Sequence, residues 1–262
     1  MAGIKQSFCL QCFYKAGMDA PRLLGEAARI GYKAVEIWAR QNEPIALDDL
    51  ARMAGDAGLA ISSMCGTASL TAGFNNPDIH SRLFDELSES IELAAKHHIP
   101  GLIVFSGNRE GRDDEKSVDV CAEGLRRAMP LAEKKGVNVN MELLNSKRDH
   151  GDYQCDHTAW GIKVCKAVKS PRTKLLYDIY HMQIMEGDII ATIRENIKYI
   201  GHFHTAGNPG RGPLDETQEL YYPAICRAIA ESGYSGYVGQ EFEGLESPIE
   251  ELRKAFKACQ VG

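Results

Sequence analysis

The stretch Lys174-Leu-Leu-Tyr-Asp178-Ile-Tyr-His181 decides the fold. It opens as a short apolar run and closes on two ionisable side chains, Asp178 and His181. That is the form of a buried strand delivering polar groups to one rim of a sheet. Three more stretches share this form: Val137-Asn-Val-Asn-Met-Glu142, Gly201-His-Phe-His204 and Tyr237-Val-Gly-Gln-Glu241. Segments of helical period lie between them, so strands and helices alternate as parallel βαβ units require.

The alternation runs through the whole chain. Strands are expected at residues 6–13, 34–38, 59–64, 101–105, 137–144, 174–181, 200–205 and 236–242. Helices are expected at 21–30, 47–57, 79–97, 115–134, 158–167, 188–199, 222–231 and 249–258, with Asp19 as a cap and Gly31, Gly58 and Gly136 as stops. Eight strand and helix pairs in 262 residues give about 33 residues per pair. An eight-stranded parallel barrel takes about 250 residues, which leaves no room for a second domain. The expected architecture is therefore α/β, a single (β/α)8 TIM barrel over residues 1–262. A doubly wound open sheet is disfavoured by strand count, and neither a G-x-G-x-x-G turn after the first strand nor a Walker A loop supports nucleotide binding.

With 30 basic against 36 acidic residues, the net charge of -6 offers no electrostatic case for nucleic acid as a partner. No run reaches about 18 apolar residues, so no membrane association is expected and the chain reads as soluble and cytoplasmic. The eight cysteines are scattered through apolar context and read as reduced, mostly buried thiols. Cys9 and Cys12 form a CxxC, placed by this reading inside a strand, where residues three apart point to opposite faces.

In a barrel the carboxyl ends of the strands share one rim and supply the catalytic groups. At those ends stand Glu36, Glu142, Asp178, His181, His202, His204 and Glu241. Charged side chains there are costly unless paired or bound to a metal. Glu142, Asp178, His204 and Glu241 belong to four consecutive strands, and three carboxylates with one imidazole suit Mg²⁺ or Mn²⁺. Other roles stay open at single positions: Glu142 as an ion-pair partner of Lys147 or Arg148, Asp178 as a cap of the following turn, Glu36 and Trp38 as packing at the barrel mouth or as contacts to a ligand. His202 and His204 share one strand face, which leaves the choice of ligand between them open; the deeper His202 suits a hydrogen bond to a carboxylate. His181 suits either a substrate oxygen or a structural bond.

Asp178-Ile-Tyr-His-Met-Gln183 with Met185-Glu-Gly187 resembles the hydroxypyruvate isomerase group of the xylose isomerase-like TIM barrels. The resemblance continues in Gly31-Tyr-Lys-Ala-Val-Glu-Ile37, Gly201-His-Phe-His-Thr-Ala206, Asn208-Pro-Gly-Arg211, Tyr222-Pro-Ala-Ile225, Gly233-Tyr-Ser-Gly236 and Glu241-Phe242. It implies one divalent metal, Mg²⁺ or Mn²⁺, held by Glu142, Asp178, His204 and Glu241. It further implies proton transfer by Glu142 and Glu241, and substrate binding by His181 and Arg211. His at 204 and Gly210-Arg-Gly-Pro-Leu-Asp215 depart from the usual hydroxypyruvate isomerase residues, and the histidine is more like ketose 3-epimerases; Arg148 departs from the glutamate of the epimerases.

The expected activity is metal-dependent isomerisation of a small α-hydroxy carbonyl compound, hydroxypyruvate to tartronate semialdehyde, through an enediolate. A ketose 3-epimerase or a keto-sugar-acid isomerase is the alternative. A metal-dependent endonuclease, the other branch of this superfamily, needs more metal ligands and a basic track for the DNA backbone. A barrel that only binds is the remaining class. The expected partner is a small hydroxy-keto acid or ketose, with the last helices available for a homo-dimer or homo-tetramer. Residues 66–77, polar and rich in Gly and Asn, form a loop able to fold over a site, and whether it closes as a lid stays open in the sequence.

Overall fold

The structure is a computed structural model that describes residues 3–261. Its strands are β1 (Lys5–Phe8), β2 (Ala34–Glu36), β3 (Ala60–Cys65), β4 (Gly101–Val104), β5 (Asn138–Glu142), β6 (Thr173–Asp178), β7 (Ile200–Thr205) and β8 (Tyr237–Gln240). They form one sheet in the order β1-β8-β7-β6-β5-β4-β3-β2. A parallel bridge, Cys9 to Glu36, links the strands at the two ends of that order. Eight parallel strands interspersed with helices are the (β/α)8 arrangement. Among the described residues no helix is long and apolar enough to cross a membrane.

The chain packs as two compact units. One takes in the residues up to Ser62, Asp188–Ile197 and everything from His202 on. In it β1 pairs with β8 in the register Gln6 to Val238 and Phe8 to Gln240. Its core is a chain of edge-on aromatic rings: Phe8 meets Phe13 at 5.5 Å and Tyr32 at 5.4 Å, and Tyr32 meets Phe256 at 5.1 Å. Such pairs add to the burial energy of the rings themselves. The helix Ala20–Ile30 starts where Asp19 accepts a bond from the Arg22 amide at 2.9 Å. It stops at Gly31, whose φ of 120° and closeness to the Phe256 ring both require glycine.

The expected strand at 6–13 is half wrong. β1 ends at Phe8, and Leu10–Lys15 is a helix. Leu10 and Phe13, three apart, are both buried, a helical rather than an alternating spacing. Cys9 therefore caps a short helix that contains Cys12. Burial, reinforced by the neighbouring Cys12, pushes the Cys9 thiol well above its usual value, the reverse of a reactive thiolate.

The second unit comprises Ser63–Gly187 and Lys198–Gly201. β4, β5 and β6 lie in register through Ile103 to Asn140 and Glu142 to Leu176. The helix expected at 115–134 is two helices, Asp114–Arg126 and Met129–Lys135. Pro130, in the first turn of the second, has no N–H to continue the first and its ring crowds the carbonyl four residues back. The strand expected at 174–181 ends at Asp178, and His181 lies in the helix Ile179–Met185. Residues 66–77 are pinned to the exit of β4: Phe74 and Asn75 donate backbone bonds to Phe105 and Ser106, and the Asn75 side chain bonds Asn108 O and Gln154 Oε1, each at 2.7 Å.

Candidate metal centre

Glu142 is the last residue of β5 and Asp178 the last of β6; His204 lies one residue before the end of β7, and Glu241 directly follows β8. Each residue stands at or next to the carboxyl end of its strand, so the strand itself carries the acid or imidazole to the rim. All four side chains are buried, and each offers one ligand atom such that these atoms lie within 4.8 Å of one another. Three buried carboxylates this close repel one another unless a cation joins them. The donor set, oxygen-rich with a single nitrogen, fits a hard divalent ion. A second group, Glu36, His202 and His204, meets the same geometric test. Two clusters sharing His204 can thus chelate a divalent metal.

Around Glu241 the donors are dense. The Trp38 indole Nε1–H donates to its Oε1 at 2.6 Å, and Arg211 Nη2 donates to Oε2 at 2.5 Å. His204 Nδ1 lies 3.1 Å from the same Oε2. Arg211 reaches this carboxylate from the loop after β7, where its own φ of 56° is left-handed. A side chain other than glycine held there signals a local constraint. Trp38 is the residue the sequence could not place: aromatic mouth packing and a donor to the carboxylate look alike until the fold brings β2 and β8 together.

On the other side of His204, Nε2 lies 2.9 Å from Glu36 Oε1, and His202 Nε2 lies 2.7 Å from Glu36 Oε2. His202 therefore has the carboxylate partner expected of it. Burial pushes the Glu36 carboxyl up, but the two imidazoles outweigh it and bring it down to about 2.

His181 is fully buried. Its amide donates to Asp178 Oδ1 at 3.1 Å, so Asp178 caps the helix as well as facing the cluster. His181 Nε2 lies 3.7 Å from Asp178 Oδ2, and Nδ1 lies 2.6 Å from Asn145 Nδ2. Asn145 in turn donates to Asp149 Oδ2 at 2.8 Å, as does the Tyr180 hydroxyl. Those donors hold the Asp149 carboxyl below its usual value against the opposing effect of burial. Lys147 bonds the carbonyls of Ile184 and Met185, not Glu142, and Arg148 is exposed.

Residues 24–259 match the family model described as xylose isomerase-like TIM barrel. Among curated relatives, a human protein named "Putative hydroxypyruvate isomerase" is 28% identical over 260 residues, covering 96% of this chain and 94% of that one. A 2-oxo-tetronate isomerase of Cupriavidus necator is 36% identical over 120 residues, 46% of this chain and 45% of its own. Among solved structures, D-psicose 3-epimerase of Clostridium cellulolyticum H10 superposes with a TM-score of 0.81 at 20% identity over 98% of both chains. That likeness is one of fold. The chain belongs to the xylose isomerase-like TIM-barrel family.

Proposed function

We propose that this chain is a metal-dependent isomerase of a small 2-oxo acid carrying a hydroxyl on the next carbon, with hydroxypyruvate to tartronate semialdehyde as the reaction. The observation that carries the reading is the convergence of Glu142, Asp178, His204 and Glu241, with the Arg211 guanidinium against Glu241. The sequence relatives named as hydroxypyruvate and 2-oxo-tetronate isomerases support an acid substrate.

Glu142, Asp178, His204 and Glu241 would hold Mg²⁺ or Mn²⁺. A divalent ion there supplies polarisation of the carbonyl and stabilises the negative charge that develops when the adjacent proton leaves. The chain's own residues do the rest. Glu142 and Glu241 remove and return the proton between the two carbons, each acting from its own strand end. Arg211, a planar fork, takes the substrate carboxylate and keeps it beside Glu241. His181, locked by Asn145 and by the Asp178 cap, presents a fixed donor to a substrate hydroxyl.

Two glutamates in one cluster also favour a second reading, ketose 3-epimerisation, which needs proton access to both faces of one carbon. The test is deuterium uptake from D₂O, followed by NMR with Mg²⁺ present, on hydroxypyruvate, tartronate semialdehyde, a 2-oxo-tetronate, fructose, tagatose and ribulose. Exchange with interconversion of the three-carbon acids, abolished in Glu142→Gln and Glu241→Gln, supports the isomerase. Exchange confined to C3 of a ketose replaces it with the epimerase.

A further inference from the structure

We infer that Glu36 is the positioning residue that fixes the tautomer and the ring of His204, and that it is not a ligand of a second metal. The inference rests on the reading of His204 as a ligand in the group with Glu142, Asp178 and Glu241.

The two candidate metal groups compete for one imidazole. A neutral histidine has one N–H and one lone pair. His204 turns Nδ1 toward Glu241, at 3.1 Å, and Nε2 toward Glu36, at 2.9 Å. Both nitrogens could bind cations only if the ring lost its last N–H. With the lone pair of Nδ1 on the Glu241 side, Nε2 would carry the hydrogen, and Glu36 Oε1, 2.9 Å away, is the acceptor it faces. This is the carboxylate–histidine–metal arrangement, in which the outer carboxylate sets the ring orientation and raises ligand basicity.

The surroundings of Glu36 fit an anchor better than a ligand. Its Oε2 is 2.7 Å from His202 Nε2. That is a hydrogen-bond length, whereas two atoms held about 2.1 Å from a common ion at right angles sit about 3.0 Å apart, and farther in a tetrahedron. Glu36 also lies in a slot: a Cβ at Gly239, on β8, would strike its carboxylate closer than real Cβ contacts allow. Gly239 leaves the space, His202 clamps one oxygen, and the other oxygen is left to meet His204. Glutamine at 36 would place an amide N–H₂ against one of the two imidazoles, and opposite His204 it would demand the tautomer whose lone pair points away from Glu241.

The experiment titrates Mg²⁺ and Mn²⁺ calorimetrically into metal-free wild type, Glu36→Gln, Glu36→Asp, Gly239→Ala and His204→Ala, with melting curves to show that each is folded. Histidine ¹⁵N NMR on the Mg²⁺-loaded protein then reads which nitrogen of His204 carries hydrogen. The expected result is one equivalent in wild type, with N–H at Nε2. Affinity should fall 10- to 100-fold in Glu36→Gln, with part restored in Glu36→Asp. Gly239→Ala, which displaces the carboxylate without changing its chemistry, should fall in the same direction and keeps the test alive if Glu36→Gln does not fold. Two equivalents in wild type, hydrogen at Nδ1, or affinity within twofold of wild type in both Glu36→Gln and Gly239→Ala overturns the inference. Unchanged affinity in His204→Ala instead shows that the ligand reading beneath it fails, and the inference falls with it.

Discussion

Trp38→Phe keeps an aromatic ring two residues beyond β2 and deletes one hydrogen-bond donor. In the structure that donor is 2.6 Å from Glu241 Oε1, and Glu241 is only 4% exposed, so water does not readily replace it. A hydrogen bond to a charged group contributes about 1.5–3 kcal/mol, and about 1.4 kcal/mol is a factor of ten in rate. If the bond holds Glu241 in line for proton transfer, deuterium uptake from D₂O into the substrate should slow roughly 10- to 150-fold. Bound metal should stay at the wild-type stoichiometry, because Arg211 still holds the other oxygen of Glu241 at 2.5 Å. The cation over the indole ring provides the control. Lys15 Nζ sits 4.8 Å from the ring centroid and pairs with Glu243 at 2.5 Å, with Lys15 exposed and Glu243 half-buried. Lys15→Met removes these exposed contacts and should leave exchange unchanged. The assay is the NMR exchange rate at saturating Mg²⁺, read beside metal content and melting temperature. Exchange in folded, metal-loaded Trp38→Phe within threefold of wild type would refute the orienting role.

Glycine positions offer a paired test of packing. A Cβ at Gly73 would run into the backbone of Phe105, Ser106 and Gly107, which cannot swing aside, so Gly73→Ala should cost about 1–3 kcal/mol in urea denaturation. Gly55, inside the helix Leu47–Asp56, has open space at its Cβ, and Gly55→Ala should stabilise by about 0.5–1 kcal/mol. Equal midpoints for the two variants would sink the argument. Thiol chemistry gives an independent check on burial. Cys65 is the partly exposed cysteine, while burial pushes the thiols of Cys9 and Cys155 well above their usual values and that of Cys165 up to about 12. Native protein treated with an alkylating agent and mapped by mass spectrometry should carry label at Cys65 first; equal rates at Cys9 or Cys12 would contradict the structure.

The strand endings that define the candidate centre are legible in the sequence because four successive strands each bring an acid or imidazole to the carboxyl end, where such a group needs a partner. The helix at Leu10–Lys15 is less legible, since Phe8 to Phe13 is apolar enough to read as strand and only the burial of Leu10 with Phe13 reveals the period. The break before Pro130 is visible locally, because proline is a known helix interruption, yet the strong apolar period on both sides hides it. Trp38 and Gly239 carry no local signal at all. Each acquires its meaning from a side chain on another strand, Glu241 for the indole and Glu36 for the glycine.

The pair His202 and His204 shows where sequence reasoning stops and why. A period of two puts both on one face of β7, so nothing within the strand distinguishes them. The distinction is made from β2, more than 160 residues away in the chain: Glu36 lies between them, its Oε2 2.7 Å from His202 Nε2 and its Oε1 2.9 Å from His204 Nε2. His202 bonds that carboxylate through Nε2, whereas His204 turns Nε2 toward it, at 2.9 Å, and faces Glu241 with Nδ1, at 3.1 Å. The histidine nearer the strand's carboxyl end is thus the one with a nitrogen on the acidic side of the centre. A carboxylate at position 36 and the absence of a side chain at 239 are what make that division possible, so substitutions at either should damage His204 before they damage the barrel.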